Sequence, residues 1–310
     1  RDAGASAVQE LAIALANGIE YIDAALARGL HIDQFAHSIF LFLSAHLDLF
    51  EEVAKFRAAR RMWCKLLGER FGARDPESLG VNIFCYTLGS PQTAREPLNN
   101  VVRIAYQALA AVLGGVQTLA TSSFDEALGL PSDEAVRISL CTQQILAYET
   151  GAARTIDPLG GSYFVEHLTD ELEAKAWDYI KTIEEHGGAL RALESGWLHG
   201  EIEEQAYAQQ RRIEEGDQVV VGLNRFTSER DWRAVSVPTA DQSAEQAQLA
   251  RLAEVKASRD PDRVKTSLSG VRDAAVNDRN TIPALIEAVR SYATIGEICA
   301  ELAEVWGSIR

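Results

Sequence analysis

The chain has 310 residues, 47% of them hydrophobic and 7% aromatic, and 45 acidic residues against 30 Lys and Arg set a net charge of −15. That length suits one large domain or two ordinary ones, and the acidity opposes a phosphate backbone, which excludes nucleic acid as a partner. No apolar run approaches the roughly 20 residues of a membrane span, and no signal peptide is visible.

Residues 5–28 read as a helix, with Val8, Leu11, Leu15, Ile19, Ile22 and Leu26 on one face and Gly29 as its stop. Ser38–Leu43 is an apolar run without alternation and predicts a strand buried on both faces. Asp48 can cap the next helix, with Glu51 completing a capping box. That helix sets Phe50, Val53, Trp63 and Leu67 inward and ends near Gly72. A second strand is expected at Val81–Thr87. A third helix follows at about Leu98–Leu113, with Val101, Ala105, Ala108 and Val112 on its inner face. Gly114 and Gly115 end it, and Val116–Thr121 is the third strand. Three strands, each preceded by a helix, have the rhythm of a βα barrel or a doubly wound sheet. A barrel needs about eight strands. With Arg1 in place of an initiating Met, the chain is expected to begin partway through one.

Beyond Ser132 the pattern turns helical at 132–150, 166–187, 189–195 and 199–215, interrupted by a turn at Asp157–Tyr163. Val219–Phe226 reads as a short strand or extended arm. Residues 227–245 read as a polar linker, and helices are expected at 244–258 and 282–307 with a polar stretch between them.

Four cysteines, Cys64, Cys85, Cys141 and Cys299, have no metal-type or CxxC spacing. They are expected to be buried free thiols of a reducing compartment, hence a cytoplasmic protein. His31, His167, His186 and His199 form no pair with metal-ligand spacing, so no metal site is expected.

Ligands of βα folds gather at the C-terminal ends of the strands. Those tips are Ser44–Asp48, Tyr86–Ser90 and Thr121–Glu126. His46 with Asp48 could form an acid/base pair, or Asp48 could simply cap its helix. Asp125 and Glu126 could accept hydrogen bonds from ligand hydroxyls, or mark another helix N-terminus.

Several blocks in one order resemble the large, substrate-binding subunit of the adenosylcobalamin-dependent acyl-CoA mutases, the methylmalonyl-, isobutyryl- and 2-hydroxyisobutyryl-CoA mutase family. They are Arg1–Ala5, Glu52–Arg61, Pro97–Arg103, Ser123–Ala127, Asp157–Val165, Val221–Phe226 and Ala293–Ile298. The resemblance implies an α/β fold, the C-terminal half of a TIM (β/α)8 barrel followed by a helical linker. It implies residues 1–226 as a partial barrel with helical extension, and 227–310 as linker and C-terminal helices. It further implies an acyl-CoA substrate, an adenosylcobalamin cofactor bound mainly by a separate domain or subunit, and assembly as a dimer or heterotetramer. The family's Asp-x-His-x-x-Gly cobalamin motif is absent from these residues, and its substrate-contacting Tyr-His pair would lie just before Arg1. The chain alone is therefore expected to be inactive, with no catalytic residue assigned.

By the same resemblance Glu126 matches the acid that holds the adenosyl ribose, and Ser122 stands beside it where many members have Asn. Gln117 and Thr118 match a CoA-contacting pair, while Ala120 replaces a His. On the second strand Asn82, Phe84, Tyr86 and Thr87 stand where the family reads Arg-x-His-x-Gln-Thr. On the first, Ser38 replaces an Arg and Phe40 a Ser. These changes imply an altered acyl pocket or CoA grip, or a non-catalytic structural member of the family.

Overall fold

A computed structural model describes residues 1–228 and 242–308. The chain divides into two compact units, Arg1–Pro238 and Thr239–Arg310.

The first unit is α/β, mostly helical, around one small sheet. Its helices are α1 (Ala7–Ala27), α2 (Ile32–Phe35), α3 (Leu49–Lys65), α4 (Pro76–Leu79), α5 (Asn99–Leu113), α6 (Asp133–Tyr148), α7 (Tyr163–Glu185), α8 (Ala189–Glu194) and α9 (Trp197–Glu215). Strands β1 (Phe40–Ala45), β2 (Asn82–Thr87) and β3 (Thr118–Ala120) are parallel and lie in the order β1-β2-β3. Phe42 pairs with Phe84, and Phe84 with Thr118.

Leu11, Leu15, Ile19 and Ile22 of α1 pack with Phe56, Met62 and Trp63 of α3, Ala111 of α5 and Ile180 of α7. Leu41, Leu43, Ile83 and Cys85 meet them from the sheet. The expected apolar face of α1 thus forms. Its start is fixed by Ser6, whose hydroxyl accepts from Gln9 N–H while the Gln9 side chain accepts from Ser6 N–H.

β1 corrects the expectation of a strand buried on both faces. Leu41, Leu43 and Ala45 are buried, but Phe40 and Phe42 are 59% and 56% exposed. Alternation is hidden in the sequence because both faces carry apolar residues, and only one faces helices. Asp48 caps α3 at Glu51 N–H, but the Glu51 carboxylate lies 3.6 Å from Arg1 rather than closing a capping box. Phe50, expected inward, is 42% exposed, against Val53, Trp63 and Leu67 in the core. α3 passes directly into a π-helical turn, Leu66–Arg70.

α5 is rotated from its expected setting. Asn100, Arg103, Ile104, Gln107, Ala108 and Ala111 are buried, while Val101 and Ala105 line an open apolar cavity against α6. Apolar spacing misses this because the buried side carries polar groups that bind backbone. Val219–Phe226 is neither strand nor arm. It is a tight loop in which Val221 bridges Arg225 and Gly222 N–H donates to Arg225 O.

The second unit holds α10 (Gln242–Ser258), α11 (Pro261–Val276), α12 (Ile282–Arg290) and α13 (Ile295–Trp306). Most of the expected polar linker lies outside the described residues, and its end is already helical. The supposed polar stretch is α11, started by Asp260 as cap and Pro261 in the first turn. The single helix expected over 282–307 is two, broken at Tyr292 (φ 62°) and restarted by Thr294 and Glu297 in a capping box. Val271, Ala288 and Ile298 form this unit's core.

The cysteines also depart from expectation. Cys85 alone is buried, which pushes its thiol up to about 12, while Cys64 and Cys299 are exposed. No helix of the described residues is long and apolar enough to cross a membrane.

Candidate functional site

The side chains of β1–β3 that turn away from the helices make one open face: Phe40, Phe42, Asn82, Phe84, Tyr86, Thr118 and Ala120. Register puts them in rows across the sheet. Phe42 stacks on Phe84 at 5.0 Å and on Tyr86 at 5.5 Å. Ser44, next in the series, is covered instead by Glu10, which accepts from its backbone N–H at 2.8 Å and from its hydroxyl.

Beneath the first tip lies a buried ion cluster. The Lys55 ammonium donates to Glu10, Glu52 and Ser44 O, each at 2.5 Å. Arg1 reaches Glu52 at 2.6 Å. Burial alone would raise Glu52, but Lys55 and Arg1 hold its carboxyl below the usual range. Burial alone would lower Lys55, but Glu10 and Glu52 hold it above. The cluster ties the N-terminal segment, α1, α3 and the β1 tip into one rigid corner.

Other polar residues pin the remaining tips. Gln107 donates to Ala45 O at 3.0 Å and Leu88 O at 3.2 Å, clasping the ends of β1 and β2. Asn100 donates to Thr93 O and Phe124 O. Ser122 sits under the β3 tip, 2.8 Å from the Thr87 hydroxyl and 2.5 Å from Gln92 Nε2. It is buried, and its hydroxyl is taken up inside the protein.

The two acids left open at the third tip separate clearly. Asp125 is fully buried and accepts from Ser132 N–H at 2.9 Å, so it organises the loop into α6. Glu126 is exposed. Partial burial and the nearby Asp2 push its carboxyl up. A Cβ on Gly89 would lie 2.7 Å from Glu126 Oε1, so a glycine there lets the carboxylate approach the β2 tip. Asp2 accepts from the Tyr86 hydroxyl and, at 3.0 Å, from Ser90 N–H. Burial and Asp2 together push the Tyr86 phenol up, keeping it a donor.

At the first tip a polar cavity of about 580 Å³ is lined by Arg1, Asp2, His46, Asp48, Ser90 and Arg212, among others. His46 and Asp48 share it. Asp48 serves as the α3 cap, and burial with the nearby Arg1 charge lowers His46, favouring neutral imidazole.

The sequence-derived site residues fall along the sheet rather than at one point. Tyr86 and Glu126 are at the tip end. Ser38, in a 3-10 turn before β1, and Asn82, at the start of β2, are exposed at the other end with Thr118. Gln117 is there too, but its side chain accepts from Ile83 N–H at 2.7 Å and donates to Gly115 O, extending the strand pairing. Residues that sequence reasoning passed over are Glu10, Glu52, Lys55, Asn100 and Gln107. A readable signal existed for Glu52 and Lys55, charged residues three apart among Val53, Ala54 and Phe56. No group of three or more His, Cys, Asp and Glu suited to a metal ion occurs among the described residues.

The sequence model of the family described as methylmalonyl-CoA mutase matches residues 1–308. The 2-hydroxyisobutanoyl-CoA mutase large subunit of Aquincola tertiaricarbonis is 40% identical over 310 residues, covering 100% of this chain and 55% of that protein. The methylmalonyl-CoA mutase of Rhizobium meliloti is 41% identical over 308 residues, 99% of this chain and 43% of its own length. That of Escherichia coli is 41% identical over 297 residues, 96% of this chain and 42% of its own. The chain thus spans about half the length of the curated relatives it matches.

Proposed function

The chain belongs to the methylmalonyl-CoA mutase family, and from that premise we propose that it is the acyl-CoA-binding part of an adenosylcobalamin-dependent acyl-CoA mutase, an isomerase. The observation that carries this reading is the open sheet face, with helices on its other side and polar side chains at its tips. Helices on one side only suit a sector of a β/α barrel whose lumen is that open face, and not a doubly wound sheet. In this reading residues 1–226 supply the C-terminal half of the barrel and its helical extension, and 227–310 supply the linker and closing helices.

The proposed contacts spread over the whole strand length, from Ser38, Asn82, Gln117 and Thr118 to Tyr86 and Glu126. Six residues of parallel strand rise roughly 20 Å. That span suits a long ligand such as a CoA ester lying along the lumen, with its acyl end at the tips.

Adenosylcobalamin, when bound, supplies radical chemistry through its cobalt–carbon bond. The residues here fit its adenosyl group in part. Glu126 offers an exposed carboxylate able to accept from ribose hydroxyls. Ser122 acts from behind, holding the β2 and β3 tips in register through Thr87 and Gln92. Tyr86, fixed by Asp2, orients the mouth of the face. The aromatic wall gives it an apolar lining, with Phe42 stacked on Phe84 and Tyr86. A cobalamin-binding domain or subunit and a dimeric or heterotetrameric assembly complete the proposal, with the cytoplasm or another reducing compartment as its setting.

Occupation of the Ser122 hydroxyl favours a second reading, a structural member that stabilises an active partner. Hydrogen exchange from the 5′ carbon of adenosylcobalamin into an acyl-CoA, measured on the complete native protein, separates the two. Exchange supports the enzyme, and its absence with every acyl-CoA that binds supports the structural subunit.

A further inference from the structure

Resting on the adenosyl reading of Glu126 above, we infer that Asp2 is a positioning residue of the site: through Tyr86 and Ser90 it fixes the β2 tip on which the Glu126 carboxylate seats. Both Asp2 oxygens are used. One accepts from the Tyr86 hydroxyl and the other from Ser90 N–H at 3.0 Å. Those two donors bracket Gly89, where a Cβ would lie 2.7 Å from Glu126 Oε1. Asp2, from the N-terminal turn, and Glu126, from the loop after β3, thus converge on one strand tip.

Asp2 is itself firmly held. Gly4 N–H donates to Arg1 O at 2.8 Å and closes a turn over Asp2 and Ala3. The Arg1 guanidinium donates to Ala5 O at 2.9 Å and to Glu52 at 2.6 Å, which ties that turn to α3. A Cβ on Gly4 would overlap Ala206, so the turn packs directly against α9. A carboxylate anchored in this way gives Tyr86 and Ser90 a fixed acceptor in place of mobile water. Its charge also reaches Glu126. Among the described residues, the titratable groups that face Glu126 are Asp2, Asp125 of its own loop and Tyr86 of β2. Burial first, then Asp2 and Asp125, push the Glu126 carboxyl up.

The test is calorimetric titration of 5′-deoxyadenosine, the uncharged adenosyl fragment, into the complete native protein and its variants between about pH 5 and about pH 8. A carboxylate accepts from ribose hydroxyls better than a carboxyl does, so affinity is expected to fall as pH drops through the Glu126 titration. In Asp2→Asn the side-chain oxygen still accepts from Ser90 N–H and the amide can donate to the Tyr86 oxygen, but the charge is gone. That variant is expected to keep its affinity within about threefold at about pH 8 and to move the fall to lower pH. Asp2→Ala loses acceptor and charge together, and is expected to bind at least about tenfold more weakly at about pH 8, with the same downward move. Glu126→Gln is expected to abolish the pH dependence. Native affinity in Asp2→Ala, or an unmoved pH profile in Asp2→Asn, overturns the positioning role and leaves the adenosyl reading standing. Failure of the native protein to bind 5′-deoxyadenosine, or a pH dependence that survives Glu126→Gln, overturns the adenosyl reading and this inference with it.

Discussion

Lys55 is fully buried and joins two carboxylates and a strand carbonyl. Replacing it with Met leaves the buried Glu10 and Glu52 with Arg1 as their one remaining shared cation. Removing one partner of a buried ion cluster costs about 3–5 kcal/mol. Lys55→Met should lower the urea midpoint accordingly, and a loss below about 1 kcal/mol would mean the cluster is solvated. Gly89→Ala addresses function rather than stability. The added Cβ meets only the far end of the Glu126 side chain, which can swing away. Stability should hold within about 1 kcal/mol. Carbon-detected NMR titration should find Glu126 moved back down toward its ordinary value, since burial beside Asp2 is what raises it; an unmoved titration refutes the contact. At this scale the sequence was legible where a residue's role is local: Asp48 reads as a cap from its position alone. Asp125 and Glu126 were not separable, because adjacent acids differ only in which one the loop turns inward. Gln107 was equally silent, since its partners, Ala45 and Leu88, lie 62 and 19 residues away.

Among the elements, α3 and α7 are joined by a ladder of ion pairs. Arg57 meets Glu166 at 2.7 Å, Arg61 meets Asp170 and Glu173, and Lys65 meets Glu173. Hydrogen bonds from Arg57 and from Gly161 N–H hold Glu166 at about 2 against an ordinary 4.5. A carboxyl depressed by folding contributes fully above its unfolded value and loses the contribution as pH falls through the folded one. Stability should therefore decline from about pH 4.5 toward 2, and Arg57→Gln should flatten that slope; an unchanged slope removes Glu166 from the account. The loop Val221–Arg225 is a second joint. Gly222 has φ 77°, and a Cβ there would sit 2.8 Å from Glu96 Oε2. Arg103 donates to Val221 O at 2.6 Å, and Glu96 accepts from Ser228 N–H at 2.7 Å. Gly222→Ala should cost about 1–3 kcal/mol and speed amide exchange in this loop before the core opens. Uniform exchange would show that the loop is not a separate joint. Helices α1 and α3 were legible from periodicity because each has one apolar side. The inner face of α5 was not, because Asn100, Arg103 and Gln107 are buried by their hydrogen bonds. α11 was missed because Pro261 and its many charges resemble a linker until Val264, Leu268 and Val271 are seen at helical steps.

For the molecule as a whole, the three-stranded sheet has β1 and β3 as its edges and an aromatic face turned away from its helices. Unpaired parallel edges beside exposed rings favour association. The isolated 310-residue chain should therefore self-associate in light scattering, and a cooperatively melting monomer would count against the open face. The βα rhythm and parallel order were readable from strand spacing, but one-sided packing was not, since Phe40 and Phe42 look like core residues in a run of letters. In the mutase site proposed above, the CoA ester lies along this face with its acyl end at the strand tips, beside the adenosyl group held by Glu126. Its most direct measurement follows tritium from the 5′ carbon of adenosylcobalamin into isobutyryl-CoA, using the complete native protein and its Glu126→Ala variant. Transfer is expected with the native protein, and a loss of at least about a hundredfold, some 2.7 kcal/mol, in the variant. Undiminished transfer in the variant, or none in a native protein that binds the ester, would contradict it.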